Sequence, residues 1–263
     1  MELGLNGKVA IVAASSKGMG KATAMALAAE GARVTMCARG VDVLAKAAQD
    51  VQETHQADVL AVRADVTRHE DIKRVVQETV GRWGTVNILV NNAGGPLPGT
   101  FVDVDDGAWQ SAFELNLLST IRFIREVVPH MREAGGGAII NIQSVSVKEP
   151  IDNLILSNSI RSGVAGLAKS LSRELARDRI RVNTVLPGAI QTERLRQVIA
   201  GQAQRQGKSI EEVRRTWEEE IPLGRLGEPE EIADMIVFLA SERASYVSGV
   251  TVQVDGGKVR SMI

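Results

Sequence analysis

The chain has 263 residues, 44% of them apolar and 24% charged, with a formal net charge of −1. That size and composition suit one large α/β domain with a substantial core, and the near-zero charge excludes an overall field that would draw nucleic acid or acidic membranes. The single cysteine, Cys37, excludes an internal disulfide and any multi-cysteine metal site, and His55, His69 and His130 stand far apart with no ligand spacing.

The first element in chain order is a short apolar run at 8–14, read as a buried strand. A turn, "SSKGMG", leads into an alanine-rich helix at 21–31. Then come a strand at 32–39, a helix at 41–54, a strand at 58–67, a helix at 69–84 and a buried strand at 86–95. One long helical segment is predicted over 105–135, a strand at 137–146, a second long helix at 153–178 and a strand at 180–188. A helix at 230–242 and a strand at 249–257 close the chain. This alternation predicts a parallel, doubly wound α/β sheet of Rossmann-like type, with helices on both faces and no linker dividing residues 1–263. Residues 191–222 interrupt it. They are polar, with helical spacing in places, and read either as a solvated helical pair or as a small helical cover over a substrate pocket. No signal-peptide pattern and no long apolar run is present, so the expected setting is cytoplasmic, with no membrane partner and no nucleic-acid partner.

Between the first strand and the first helix stands "AASSKGMG", residues 13–20. Ser15, Ser16, Lys17, Gly18, Met19 and Gly20 are the expected phosphate turn, because glycine lets backbone amides approach a pyrophosphate and a helix N-terminus favours negative charge. Sites that prefer NAD place an acid at the end of the second strand, for the ribose 2′-hydroxyl. Here that position reads Cys37-Ala38-Arg39. Arg39, helped by Lys17, can pair with a 2′-phosphate, so the expected cofactor is NADP(H).

Over residues 5–257 the chain resembles the short-chain dehydrogenase/reductase family, near the 3-oxoacyl-acyl-carrier-protein reductases. "AASSKGMG" is similar to the family's T-G-x-x-x-G-x-G turn, with Ala13 and Ala14 in place of the threonine and first glycine. "ADV" supplies Asp65 and Val66 for the adenine, and "NNAG" supplies Asn92. By the same resemblance Asn116 anchors a proton-relay water and Ser144 is the active-site serine. "PGAIQT", with Pro187, Gly188, Ile190 and Thr192, holds the nicotinamide carboxamide. The closing segments resemble those that build a homotetramer (or homodimer) in relatives.

One departure concerns chemistry. The family's Tyr-x-x-x-Lys begins thirteen residues after the active-site serine, which here falls on Ser157 and Arg161. The only tyrosine, Tyr246, lies in the closing segment. A serine hydroxyl is too weak an acid to replace a phenol whose pKa is lowered by lysine. Arg161 can still hold the nicotinamide ribose and steady a developing alkoxide. Three readings stay open. Lys148, with Asp152 as the second candidate, donates the proton in a carbonyl reductase. Alternatively, the substrate is an activated C=C or C=N compound that needs little acid help. Or the protein is a catalytically silent, regulatory NADP-binding member of the fold. Residues 95–103 and 191–222 are expected to border a small-molecule substrate.

Overall fold

The structure, a computed structural model, describes residues 2–262. Strands β1 (Val9–Val12), β2 (Arg33–Ala38), β3 (Val59–Arg63), β4 (Ile88–Asn91), β5 (Gly137–Ile142), β6 (Ile180–Pro187) and β7 (Thr251–Val254) form one parallel sheet, in the order β3-β2-β1-β4-β5-β6-β7. The helices are α1 (Gly18–Ala29), α2 (Val41–His55), α3 (His69–Trp83), α4 (Asp106–Ala112), α5 (Ser119–Glu133), α6 (Ile155–Glu174), α7 (Glu193–Gln206), α8 (Ile210–Glu219) and α9 (Pro229–Ala240). The strand order reverses between β1 and β4, and in open α/β sheets ligands bind at the carboxyl ends of the strands beside that point.

Strand residues are apolar in both phases because both faces are covered. Val12, Val34, Ile88 and Ile140 pack beneath Leu27, Val51 and Ile236 of α1, α2 and α9. The alternate residues Ile11, Leu89, Ile139 and Val182 pack beneath Ile72, Phe123 and Ala168 of α3, α5 and α6. Each fully buried branched or aromatic side chain here contributes about 1.5–3 kcal/mol. Among the described residues no helix is long and apolar enough to cross a membrane, and no group of His, Cys, Asp and Glu could hold a metal ion.

The structure departs from the predicted elements in two places and resolves a third region, 191–222, into one of the forms expected for it. The helix predicted at 21–31 begins at Gly18, so the phosphate turn includes its first turn. The segment 105–135 is not one regular helix: α4 and α5 are joined by a π-helical stretch, Phe113–Leu118. The region 191–222 is a helical pair, α7 and α8, with a small core of Ile199, Ala203, Val213 and Ile221 that reaches Ala189 and Leu226.

A wide cleft of about 490 Å³ lies at the opposite, amino-terminal ends of the strands, lined by Lys8, Gly135, Arg179 and Glu242 among others. It faces away from the switch point, and the Lys8–Glu242 ion pair lies at its edge (3.4 Å).

Candidate active site

The phosphate turn is braced from below. The Ser15 hydroxyl donates to the Val12 carbonyl at 2.8 Å and accepts from the Cys37 amide at 3.0 Å. Ser15 is fully buried, and its side chain is engaged within the turn. Cys37 is buried as well, and desolvation pushes its thiol up to about 12, as an inert structural cysteine should be. Ser16 and Met19 are half-buried in the turn, and Met19 packs against the core under α1. Helix α1 starts after an extended Lys17 with no capping side chain and no acid in its first turn. Its first N–H groups therefore lack an intrahelical or side-chain partner, which suits a pyrophosphate.

Ala14 stands where the family has glycine and adopts a left-handed conformation, φ 47°. An alanine there carries strain of about 1–2 kcal/mol. Ala14→Gly is therefore expected to raise stability by about 1 kcal/mol, a melting-temperature rise of about 2–4 °C. An unchanged or lower melting temperature would show that the turn is not strained. The Asn92 amide donates to the Ala14 carbonyl at 3.3 Å, so Asn92 buttresses the turn.

Lys17 is not free for a 2′-phosphate. Its ammonium pairs at 2.6 Å with Glu193, the first residue of α7, and this bond draws the Glu193 carboxyl below its ordinary range. Arg39, exposed past the end of β2, makes no hydrogen bond or ion pair with the described residues. Asp65 caps its own turn, accepting from the Thr67 amide and hydroxyl at 3.0 and 2.8 Å, and Val66 beside it is buried.

On the far side of the cleft, Pro187 ends β6 and the Gly188 amide donates to the Val254 carbonyl. Ile190 is buried and bridges to Gly227. The Thr192 hydroxyl caps α7 by accepting from the Leu195 amide at 3.2 Å. A Cβ on Gly18 would lie 3.3 Å from the Thr192 methyl, so the phosphate turn and the 187–192 segment meet across the cleft.

The residues expected to carry the chemistry lie on or beside β4, β5, the π-helical stretch and α6. The Asn116 amide donates to the Gly94 carbonyl at 2.9 Å, while its Oδ1 is buried without a partner. The backbone carbonyl of Asn116 is taken by the Thr120 hydroxyl at 2.8 Å. Ser144 leaves β5 half-buried and caps a short 3₁₀ turn, its Oγ accepting from the Ser146 amide at 3.1 Å. Lys148 closes that turn, half-buried, its backbone amide donating to the Val145 carbonyl and its ammonium making no hydrogen bond or ion pair with the described residues; Asp152 is exposed. α6 packs against the turn. Ser157 and Arg161 lie one helical turn apart on its buried face, 8% and 7% exposed. The Ser157 hydroxyl makes no hydrogen bond with the described residues. Arg161 donates from Nη1 to both the backbone carbonyl and the side-chain Oε1 of Gln143, each at 3.3 Å.

Sequence reasoning missed Gln143 and Glu193. The first could have been found from strand parity, since 143 continues past the end of β5 in the phase of 139 and 141. It also missed the return of the C-terminal segment. Both Asp255 carboxylate oxygens accept backbone amides, from Gly257 and Val259. Val259 packs with Val145 and Leu186. Lys258 pairs with Glu220 and lies 5.0 Å over the Trp217 ring, so this segment ties the Ser144 turn to α8.

Residues 13–258 match the enoyl-(acyl carrier protein) reductase family. The chain is 35% identical over 258 residues to the 3-oxoacyl-acyl-carrier-protein reductase FabG of Thermotoga maritima, covering 97% of this chain and 99% of that one. The L-sorbose reductase of Gluconobacter frateurii, solved with NADPH and L-sorbose, superposes with a TM-score of 0.96 at 36% identity over 100% of both chains. A 7α-hydroxysteroid dehydrogenase complexed with NADH and 7-oxo glycochenodeoxycholic acid gives 0.90 at 31% identity, over 100% of this chain and 98% of that one.

Proposed function

The chain belongs to the short-chain dehydrogenase/reductase family, and on that premise we propose that it is an NADP(H)-dependent oxidoreductase that reduces a carbonyl, or oxidises the matching alcohol, with a proton donor other than tyrosine. The observation that carries this is the buried pair Ser157 and Arg161 facing the Ser144 turn in a frame otherwise like the family's. Bound NADPH supplies a hydride. The residues that hold the cofactor are the open first turn of α1 with Gly18 and Gly20 for the pyrophosphate, Arg39 for the 2′-phosphate, and Ile190 with Thr192 for the carboxamide. The missing carboxylate at the end of β2, the unpaired Arg39 and the NADPH held by the sorbose reductase all favour NADP(H) over NAD(H).

In this reading the hydroxyls of Ser144 and Ser157 orient the substrate oxygen, and Arg161 steadies the negative charge that develops on it. Asn116 positions a water through its unpartnered Oδ1. Lys148 delivers the proton from the Ser144 turn, with Asp152 as the second candidate. The α7–α8 pair covers the substrate side, and the closing segments form a homotetramer or homodimer. The unpaired cation of Arg161 favours a second reading, in which an activated C=C or C=N substrate is reduced with little acid help.

The test is NADPH consumption, followed optically, over a panel of ketones, enones and imines. Tight NADPH binding with no consumption would favour a silent member of the fold. On an accepted ketone, Lys148→Met is expected to lower kcat about 100-fold at neutral pH and to flatten the pH profile. Unchanged kinetics across pH would remove Lys148 from the mechanism.

A further inference from the structure

Two arginines lie deep against the sheet, and they are satisfied very differently. Arg181, on β6, donates to the carbonyls of Leu239, Ala240, Ser241 and Val247. Arg161 has one acceptor residue, Gln143, and both bonds use the same nitrogen. Its Nε and Nη2 bond to none of the described residues, and neither is among the polar atoms closed off from solvent. No carboxylate pairs with it among the described residues. Burial alone acts on its guanidinium, pushing it down to about 10, so it remains a cation at neutral pH. A buried charge without a counter-charge is costly, and a chain that only needed to fill this helix face would place an apolar side chain there. The cation is kept, with the donors on Nε and Nη2 left without a partner among the described residues.

The ribose hydroxyls of a nicotinamide cofactor can accept hydrogen bonds here but cannot neutralise the charge. The 2′-phosphate and pyrophosphate are accounted for elsewhere, at Arg39 and the first turn of α1. A counter-ion must therefore arrive with the substrate. Ser157 stands four residues away on the same face of α6, about 6 Å along the helix axis. That spacing suits a carbonyl oxygen held at Ser157 and Ser144 and a neighbouring carboxylate held at Arg161. A carboxylate also fits the planar fork of a guanidinium in a way that a lone hydroxyl does not.

We propose that Arg161, held in place by Gln143, forms a carboxylate-binding subsite, and that the preferred substrate is a 2-oxo acid whose carboxylate lies beside the carbonyl to be reduced. This rests on the reductase reading given above. Gln143 is a positioning residue: its two oxygens fix one edge of the guanidinium and leave the other edge for the substrate. The reaction balances without further reagents, since the hydride of NADPH and one proton convert the 2-oxo acid to the 2-hydroxy acid.

The test compares 2-oxo acids of increasing side chain, from pyruvate to phenylpyruvate, with their methyl esters on the wild-type enzyme and NADPH. The acids are expected to exceed their esters in kcat/KM by about 30-fold or more, as for loss of a charge-assisted hydrogen bond. In Arg161→Gln the ratio should fall to near one. Gln143→Ala should raise KM for the acids more than KM for the esters, lowering the acid-to-ester ratio. Equal rates for acid and ester, or faster esters, overturn the subsite. Should neither class be reduced, the reductase reading fails on these substrates, and calorimetric titration of the NADPH complex with oxamate, an unreactive mimic of a 2-oxo acid, decides the subsite separately. Oxamate bound by the wild type and not by Arg161→Gln supports it; no oxamate binding to the wild type overturns it.

Discussion

Gly20→Ala is expected to weaken NADPH binding by about 100-fold and to destabilise the fold by about 1–3 kcal/mol. A Cβ at Gly20 would lie 2.5 Å from the Ala14 carbonyl oxygen, 2.9 Å from Asn92 Nδ2 and 3.0 Å from the Ser15 Cα. Two of these are backbone atoms of the turn, so no flexible side-chain tip can swing away. Ala14 is already left-handed and Ser15 is pinned to β2, so the turn has no slack on either side. The helix must move outward, taking its open N–H groups out of line with the pyrophosphate and breaking the Asn92 bond. Gly40→Ala is the control. Gly40 has an ordinary negative φ of −83°, and its added methyl would meet nothing within 4 Å. Fluorescence titration with NADPH and thermal melts measure both effects. Wild-type affinity in Gly20→Ala would remove the turn from the cofactor site.

The second large effect concerns stability alone. Arg181→Met is expected to lower stability by about 3 kcal/mol, or about 6–12 °C in melting temperature. The Arg181 guanidinium reaches the carbonyls of Leu239, Ala240 and Ser241 at 2.6, 3.2 and 3.0 Å, and that of Val247 at 3.4 Å. The first three close the C-terminal end of α9, where carbonyls have no intrahelical donor and a cation suits the helix dipole. Methionine fills similar space and leaves the Leu239 and Ala240 carbonyls without the donors that the guanidinium supplied, while the Ser241 carbonyl keeps the Ala244 amide. Arg181→Lys should recover part of the loss through charge. Because Arg181 lies near the amino-terminal end of β6, away from the cofactor site, NADPH affinity well below the melting range should be unchanged. A melting temperature within 2 °C of wild type would show that water replaces the guanidinium without penalty.

The sheet and the helices around it were legible because local periodicity and turn chemistry decide them. The runs 8–14, 86–95 and 137–146 each contain the observed strand, and the two positions counted from Ser144, Ser157 and Arg161, lie buried on α6. What was not legible depends on partners far apart in sequence. Lys17 reads as a free cation until Glu193 is seen beside it, 176 positions away. Arg161 reads as a replacement for lysine, and its dependence on Gln143 appears only when β5 and α6 are packed together. The serine at 15 reads from the sequence as part of an open turn, whereas its hydroxyl is bonded to β1 and β2. The π-helical stretch escaped because its apolar spacing passes for ordinary helix, and one wider turn leaves no trace in a periodicity read over thirty residues.

That wider turn has a consequence for how this chain tolerates changes in length. A π turn closes i→i+5 bonds, so Phe113–Leu118 accommodates a residue that regular winding would not. Removing one residue inside it lets α4 and α5 fuse into an uninterrupted helix with its backbone bonds intact. The same deletion in α6 would rotate half of a helix by about 100° against the sheet. The segment is thus a place where the fold forgives a lost residue and the chemistry does not. Healing the helix would swing Asn116 away from Gly94 and displace a buried amide oxygen that has no partner among the described residues.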